Sequence, residues 1–242
     1  MNVEIWSDIT CPFCYIGKRY FEQGLAKFEH KDNVNVIYRS FQLDPHAPKQ
    51  PTDDVYTLVA NKYGYSREQV KGMHDNLVAQ ARSVGLDYRF DHALPANSLD
   101  AHRVIKFADT YGKSEDVLEQ LYKAYFTDSK LISDWETLAD LAAETGIPRE
   151  DVLSMLNSTK YEEEVLTDGR DASRFGATGV PFFVFNHKYA VSGAQPSDVF
   201  LGALQTAWDE EHPIISLNPE AQQADQGQMC EDGYCVPKNP SK

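Results

Sequence analysis

The chain has 242 residues, with 37 Asp and Glu against 23 Lys and Arg and a formal net charge of −14. That balance argues against nucleic acid and anionic membrane surfaces as partners, and no stretch has the apolar length needed to cross a bilayer. The length suits one large domain, or a small domain carrying a sizeable insertion.

Val3, Ile5 and Trp6 predict a short buried strand that runs straight into the pair Cys11-Pro12-Phe13-Cys14. They follow the initiator with no basic n-region, so no signal peptide is expected and the expected compartment is the cytoplasm. Beyond Cys14, the apolar residues Ile16, Tyr20, Phe21, Leu25 and Phe28 recur at helical spacing, with Lys18, Arg19, Glu22 and Lys27 on the other side. Asn33 marks a turn, and Val34, Val36 and Tyr38 alternate as a second strand reaching Phe41. This is a βαβ pattern.

From the proline-rich loop "LDPHAPKQPTDD" a long helical stretch runs to about Arg174. Tyr56 to Tyr63 and Val70 to Ala81 predict two helices, the second ending near Gly85. "NSLDAHRVIKFADTYG" predicts another, with Asn97 or Ser98 as cap and Gly112 as terminator. "ISDWETLADLAAETGI" reads as a capping box, with Ser133 as cap and Glu136 three residues on. "PREDVLSMLN" and "YEEEVLTDGRDASRFG" complete the set. "GVPFFVFN" and "KYAVSG" then predict two strands joined by a hairpin turn at Asn186-His187. "QPSDVFLGALQTAWDEEH" predicts a last helix, with Pro196 near its first turn. Past His212 a polar, Asn-, Gln- and Pro-containing segment predicts a flexible tail that carries "CEDGYC". The expected organisation is a thioredoxin-like part over residues 1–45 and 176–212, an inserted α-helical domain over 46–175, and a tail over 213–242.

The Cys-x-x-Cys pair sits where a strand hands over to a helix. A helix N-terminus carries unpaired N–H groups and partial positive charge, which stabilise a thiolate. Cys11 is therefore expected to be the exposed nucleophile and Cys14, one turn inside, the buried resolving thiol. Pro12 suits the first helical turn, where its missing N–H is not needed. In such motifs the thiol pKa falls from about 8.5 to between roughly 3.5 and 7.5. In a reducing compartment, close cysteine pairs point to catalysis or metal binding before a structural staple.

The strand, "CPFC", the helical insertion, "GVPFFVFN" and "SGAQP" together resemble the DsbA-like branch of the thioredoxin superfamily, specifically its FrnE-like cytoplasmic oxidoreductases. The resemblance covers the chain to its last predicted helix. It implies an α/β thioredoxin fold with a large α-helical insertion between an N-terminal βαβ part and a C-terminal ββα part. It further implies that Pro181 is a cis-proline facing the dithiol. Val180 would then offer its backbone to a bound substrate chain, and Pro12 and Phe13 would complete the substrate-contacting set. Where DsbA has a histidine before the second cysteine this chain has Phe13, which implies a less oxidising couple. Chromene-carboxylate isomerases and kappa-class glutathione transferases also resemble the architecture, including a segment like "NSLDAHR", but place a serine where this chain has its dithiol.

The expected function is thiol–disulfide exchange through Cys11 and Cys14, acting on protein or small-molecule thiols and disulfides, with no dissociable cofactor. The rival enzyme class is a glutathione-dependent isomerase or transferase. The rival non-enzyme class is a binding module stabilised by zinc on four cysteines, which the wide separation of the two pairs disfavours. Asp8 reads as a turn cap, with tuning of the thiols as the alternative, and Trp6 reads equally well as core. Asn97 and His102 line a cleft beneath the dithiol in the relatives, yet capping explains Asn97 and an ordinary polar face explains His102 and Arg103. His46, His74, His187 and His212 have no partner at metal-ligand spacing. Cys230 and Cys235 enclose Asp232-Gly233, which permits a tight turn that would bring their sulfurs together. A flexible linker of roughly 19 residues from Glu211 spans about 25 Å, so the tail pair is expected to be a second redox pair within reach of Cys11.

Overall fold

The computed structural model describes residues 1–215, so Cys230, Cys235 and the predicted tail turn lie outside the described residues. Four strands and nine α-helices are found among the described residues, and no described helix is long and apolar enough to cross a membrane. Residues 1–207 form one compact unit, the one described below.

Strand β1 (Asn2–Ser7), helix α1 (Pro12–Lys27) and strand β2 (Asn35–Ser40) make the predicted βαβ unit. The crossover through α1 leaves β1 and β2 parallel, with Val3 opposite Val36 and Ile5 opposite Tyr38. Strands β3 (Phe182–Phe185) and β4 (Tyr189–Ser192) form the predicted hairpin, and β3 pairs antiparallel with β1, giving the order β2-β1-β3-β4. Both turn residues, Asn186 and His187, are left-handed, with φ of 49° and 56°. Two positive φ values match the right-handed twist of the paired strands.

Register decides which side chains share a face. Ile5 lies opposite Phe183 and Val3 opposite Phe185, and Phe21 of α1 packs against both phenylalanines. Phe200 of α9 (Ser197–Glu211) closes this layer on Phe21 and Phe183. Trp6 lies opposite Phe182 on the other face. Trp6 is core, 1% exposed, and its indole donates to the Asp168 carbonyl at 2.7 Å. That carbonyl belongs to α8 (Glu162–Arg174), which packs across β1 and β2.

Between β2 and β3 the chain forms α2 (Val55–Tyr63), α3 (Arg67–Ser83), α4 (Leu99–Asp109), α5 (Ser114–Phe126), α6 (Trp135–Glu144), α7 (Arg149–Leu156) and then α8. Helix α4 packs against α5, α6, α7 and α8. The core of α2 to α7 is continuous with Cys11, Cys14, Tyr15 and Ile16, so the helical segment packs directly on the dithiol helix.

Two local expectations change. Asp134, not Ser133, caps α6, its carboxylate accepting from Thr137 N at 2.9 Å. Both residue types serve as caps, and Ser133 is drawn away because its hydroxyl donates to the Lys49 carbonyl. His102 and Arg103 are not a polar face: they are 2% and 4% exposed. With α4 surrounded by four helices, the Arg103 guanidinium is satisfied internally by Asp100 and by the Lys160, Met155 and Ser158 carbonyls.

Candidate active site

β1 ends in a turn in which Cys11 N donates to the Asp8 carbonyl at 3.1 Å. Cys11 is the N-cap residue of α1, with extended φ and ψ of −88° and 113° and no side-chain cap bond. Pro12 opens the helix, and Cys14 N donates to Cys11 O at 3.0 Å. The first turn holds no acidic residue, and Cys11 stands at the positive end of the α1 dipole.

The Val180–Pro181 segment, 169 residues away in sequence, meets this helix start. Cys11 Sγ lies 3.5 Å from the Val180 carbonyl, and the Val180–Pro181 bond is cis. Gly17 of α1 makes the approach possible, since a Cβ there would stand 2.8 Å from Pro181 Cγ. The structure thus brings Cys11, Pro12, Cys14, Val180 and Pro181 together, with Phe13 44% exposed beside them. Cys11 itself differs from expectation. It is buried, 4% exposed, against 2% for Cys14, because the sulfur sits under the Val180 carbonyl instead of facing solvent. Both are free thiols.

Burial pushes the Cys14 thiol well above its ordinary value, and the hydrogen bond to Cys11 and the charge of Cys11 add to this. Cys14 therefore keeps its proton and can donate it toward the Cys11 sulfur. Around the pair stand tyrosines that sequence reasoning missed. Tyr88, from the loop after α3, donates its hydroxyl to the Pro12 carbonyl at 2.7 Å. Tyr122 of α5 stacks on Tyr15 with centroids 4.6 Å apart. Burial holds the hydroxyls of both Tyr88 and Tyr122 well above the usual phenol value. Nothing local in the sequence marks them, since their partners lie far along the chain.

Asp8 does form the expected turn, its Oδ1 accepting from Thr10 N at 3.2 Å. It does more. Asp8 is 1% exposed and accepts from Leu43 N at 2.8 Å, and His102 Nε2 lies 3.6 Å from Oδ1. The same His102 nitrogen is 3.1 Å from the Phe41 carbonyl. Burial alone would raise the Asp8 carboxyl, but the hydrogen bond and charge of His102, with Leu43 N and the Ser98 hydroxyl, hold it below its ordinary value. Asn97 accepts from Leu99 N at 3.0 Å and ties down the loop through the Pro45 and Ala47 carbonyls. Among the described residues, no group of three or more His, Cys, Asp or Glu side chains could hold a metal ion.

A β2-β1-β3-β4 sheet whose first strand feeds a helix-capping dithiol, faced by Val180–Pro181, defines a thioredoxin-fold protein of the DsbA type. The family model for the DSBA-like thioredoxin domain matches residues 2–205, and the chain belongs to that family. A probable DsbA oxidoreductase from Streptomyces coelicolor is 41% identical, with a TM-score of 0.84 over 99% of this chain and 100% of that one. The uncharacterized protein YwbO of Bacillus subtilis is 26% identical over 206 residues, covering 84% of this chain and 96% of YwbO. A 2-hydroxychromene-2-carboxylate isomerase shares the fold, with a TM-score of 0.66 at 16% identity over 89% of this chain and 100% of that one. The family and the Streptomyces coelicolor relative support an oxidoreductase role.

Proposed function

We propose that this chain is a thiol–disulfide oxidoreductase of the DsbA/FrnE type working through Cys11 and Cys14. The observation that carries the proposal is the placement of Cys11 at the start of α1, 3.5 Å from the Val180 carbonyl, with Cys14 protonated behind it. The Cys11 thiolate attacks one sulfur of a substrate disulfide, forming a mixed disulfide and expelling the other sulfur as a thiolate. Cys14 then gives up its proton and attacks the Cys11 sulfur, which expels the second substrate thiolate. Two electrons pass from the dithiol to the substrate, leaving a Cys11–Cys14 disulfide. Run backwards, the same steps oxidise a substrate dithiol.

Val180 and Pro181, with Pro12 and the exposed Phe13, contact the substrate in this reading. The thioredoxin-like part comprises residues 1–45 and 176–212, with 46–175 as an insertion. Cys230 and Cys235 form the second redox pair. The proposal takes the cytoplasm as the compartment, where the reduced dithiol is the resting form.

The test is insulin reduction with dithiothreitol as electron donor. Cys11→Ala abolishes turnover, and Cys14→Ala traps a mixed disulfide through Cys11 because the resolving thiol is gone. Unchanged turnover in Cys11→Ala would overturn the proposal.

A further inference from the structure

The first turn of α1 is weakly fastened from within. Among the described residues Cys11 has no side-chain cap bond, its sulfur turning to the Val180 carbonyl instead. Pro12 has no N–H to offer, and Cys14 N returns only to the Cys11 carbonyl. Helix ends fray, yet both sulfurs hang on this turn. Tyr88 supplies a hold from outside the helix. It is 3% exposed and donates its hydroxyl at 2.7 Å to the Pro12 carbonyl, between the two cysteines. Its ring also stacks on that of Tyr15, the residue after Cys14, with centroids 6.2 Å apart. Tyr88 thus meets the chain on both sides of Cys14.

The tyrosine is itself held in place. Its ring stacks on Phe126 at 4.5 Å and meets Phe90 edge-on at 5.6 Å. The backbone on either side of it is tied to the end of α5. Arg89 N donates to the Phe126 carbonyl at 2.7 Å, and the Thr127 hydroxyl donates to the Asp87 carbonyl at 2.7 Å. Packing around a side chain together with hydrogen bonds behind it is the support that precise placement of reacting groups requires.

We propose that Tyr88 is a positioning residue for the resolving step, holding the turn so that the Cys14 sulfur stays aligned on the Cys11 sulfur of a mixed disulfide. The proposal rests on the exchange reading above. Attack of Cys11 on a substrate disulfide joins two molecules and uses the Cys11 sulfur alone. Resolution is intramolecular, and its rate depends on how two sulfurs of one turn are placed relative to each other. Loosening the turn therefore slows the second step and spares the first.

The experiment oxidises the reduced full chain with glutathione disulfide, using rapid acid quenching and peptide mass mapping of Cys11. The Cys11 thiolate bonds to one glutathione sulfur and expels the other glutathione as a thiolate. Cys14 then loses its proton and attacks the Cys11 sulfur, expelling the second glutathione thiolate. In sum, one dithiol and one glutathione disulfide become one protein disulfide and two glutathiones. Tyr88→Phe keeps the ring and removes only the hydroxyl. The net contribution of one hydrogen bond corresponds to about a two- to tenfold change in rate. Decay of the mixed disulfide is expected to slow by about that factor, while its formation stays within about twofold of the parent. A merely structural role would not separate the two rates. Thr127→Val cuts the tie to Asp87 and leaves the tyrosine and the dithiol turn intact. It is expected to slow the same step, and it decides the matter should Tyr88→Phe fail to fold. Decay at the parental rate in the deciding variant, or equal slowing of both steps, overturns the positioning role. If the parent neither takes up glutathione at Cys11 nor forms a Cys11–Cys14 disulfide, the exchange reading fails instead.

Discussion

Gly17→Ala tests whether the approach of Pro181 to the dithiol helix matters. The added Cβ would lie 2.8 Å from Pro181 Cγ and 3.5 Å from the Ala194 Cα and Cβ atoms. Carbon atoms settle about 3.5–4.0 Å apart, so relief at Pro181 takes a shift of roughly 0.7–1.2 Å. The proline ring cannot swing away as a long side chain would. The shift falls on the backbone that carries the Val180 carbonyl, which lies 3.5 Å from Cys11 Sγ. Overpacking of this kind costs about 1–3 kcal/mol, and replacing a mid-helix glycine by alanine returns about 0.5–1 kcal/mol. The net loss of stability is thus about 0–2.5 kcal/mol. At about 2–4 °C per kcal/mol for a chain of this size, the melting temperature falls by no more than about 10 °C. Activity responds more, because misplacing a reacting geometry by about 1 Å can cost about 100-fold. Insulin reduction and a thermal melt are measured together, with Gly72→Ala in α3 as control, since a Cβ there meets nothing within 4 Å. The expected result is a folded Gly17→Ala protein with kcat/KM reduced about 10- to 100-fold and a control at full activity. If Gly17→Ala melts higher and turns over at the parental rate, as the control should, the approach of Pro181 has no functional weight.

His74 is buried on α3, stacked on Phe90 at 4.3 Å and tilted against Tyr56 at 5.0 Å, and its Nδ1 has no hydrogen-bond partner. Burial lowers its pKa, with Asp75 opposing. The unfolded chain, with His74 near 6.5, therefore binds the proton first as pH falls. Stability is full above about pH 6.5 and declines below it. The urea midpoint should drop between pH 7.5 and 5.5, and His74→Phe should flatten that part of the profile; an identical slope in the variant would refute the assignment. For the second cysteine pair, truncation after His212 should leave Cys11 reactivity intact but change the rate at which the oxidised centre recovers. Peptide mapping under limited oxidation should find Cys230–Cys235 and a transient bridge to Cys11. Equal cycling rates with no such bridge would make the pair a bystander.

The parts legible in the sequence are those set by neighbours a few residues apart. Alternation at Val3, Ile5 and Val36, Tyr38 specifies strands, and Asn186-His187 supplies two residues that tolerate positive φ. The strand-to-helix junction at Cys11-Pro12 fixes which cysteine caps α1. Pro181 was readable through resemblance, since periodicity alone says only that a proline opens a strand. What stayed hidden depends on contacts between distant segments. Tyr88 and Pro12 are 76 residues apart, and Cys11 and Val180 are 169 apart. His102 and Arg103 look like a solvated pair because charge normally faces water. They are buried here because four helices pack on α4 and carbonyls are placed to receive them. The burial of Cys11 has the same origin, for the segment that covers it is distant in sequence.

These distant contacts bear on what the helical segment contributes. A thioredoxin-type sheet with one dithiol helix could present Cys11 and Cys14 by itself. In this chain Tyr88 fixes the Pro12 carbonyl, Tyr122 stacks on Tyr15, and His102 reaches Asp8, and all three come from between β2 and β3. The carbonyl that Tyr88 holds lies between the two cysteines, so the loop after α3 is tied to the turn that carries both sulfurs. The surroundings of the dithiol are thus built from the same segment by three different residues. Relatives with the same sheet and motif but different helices should therefore differ in reduction potential even where the cysteines and the intervening residues are identical.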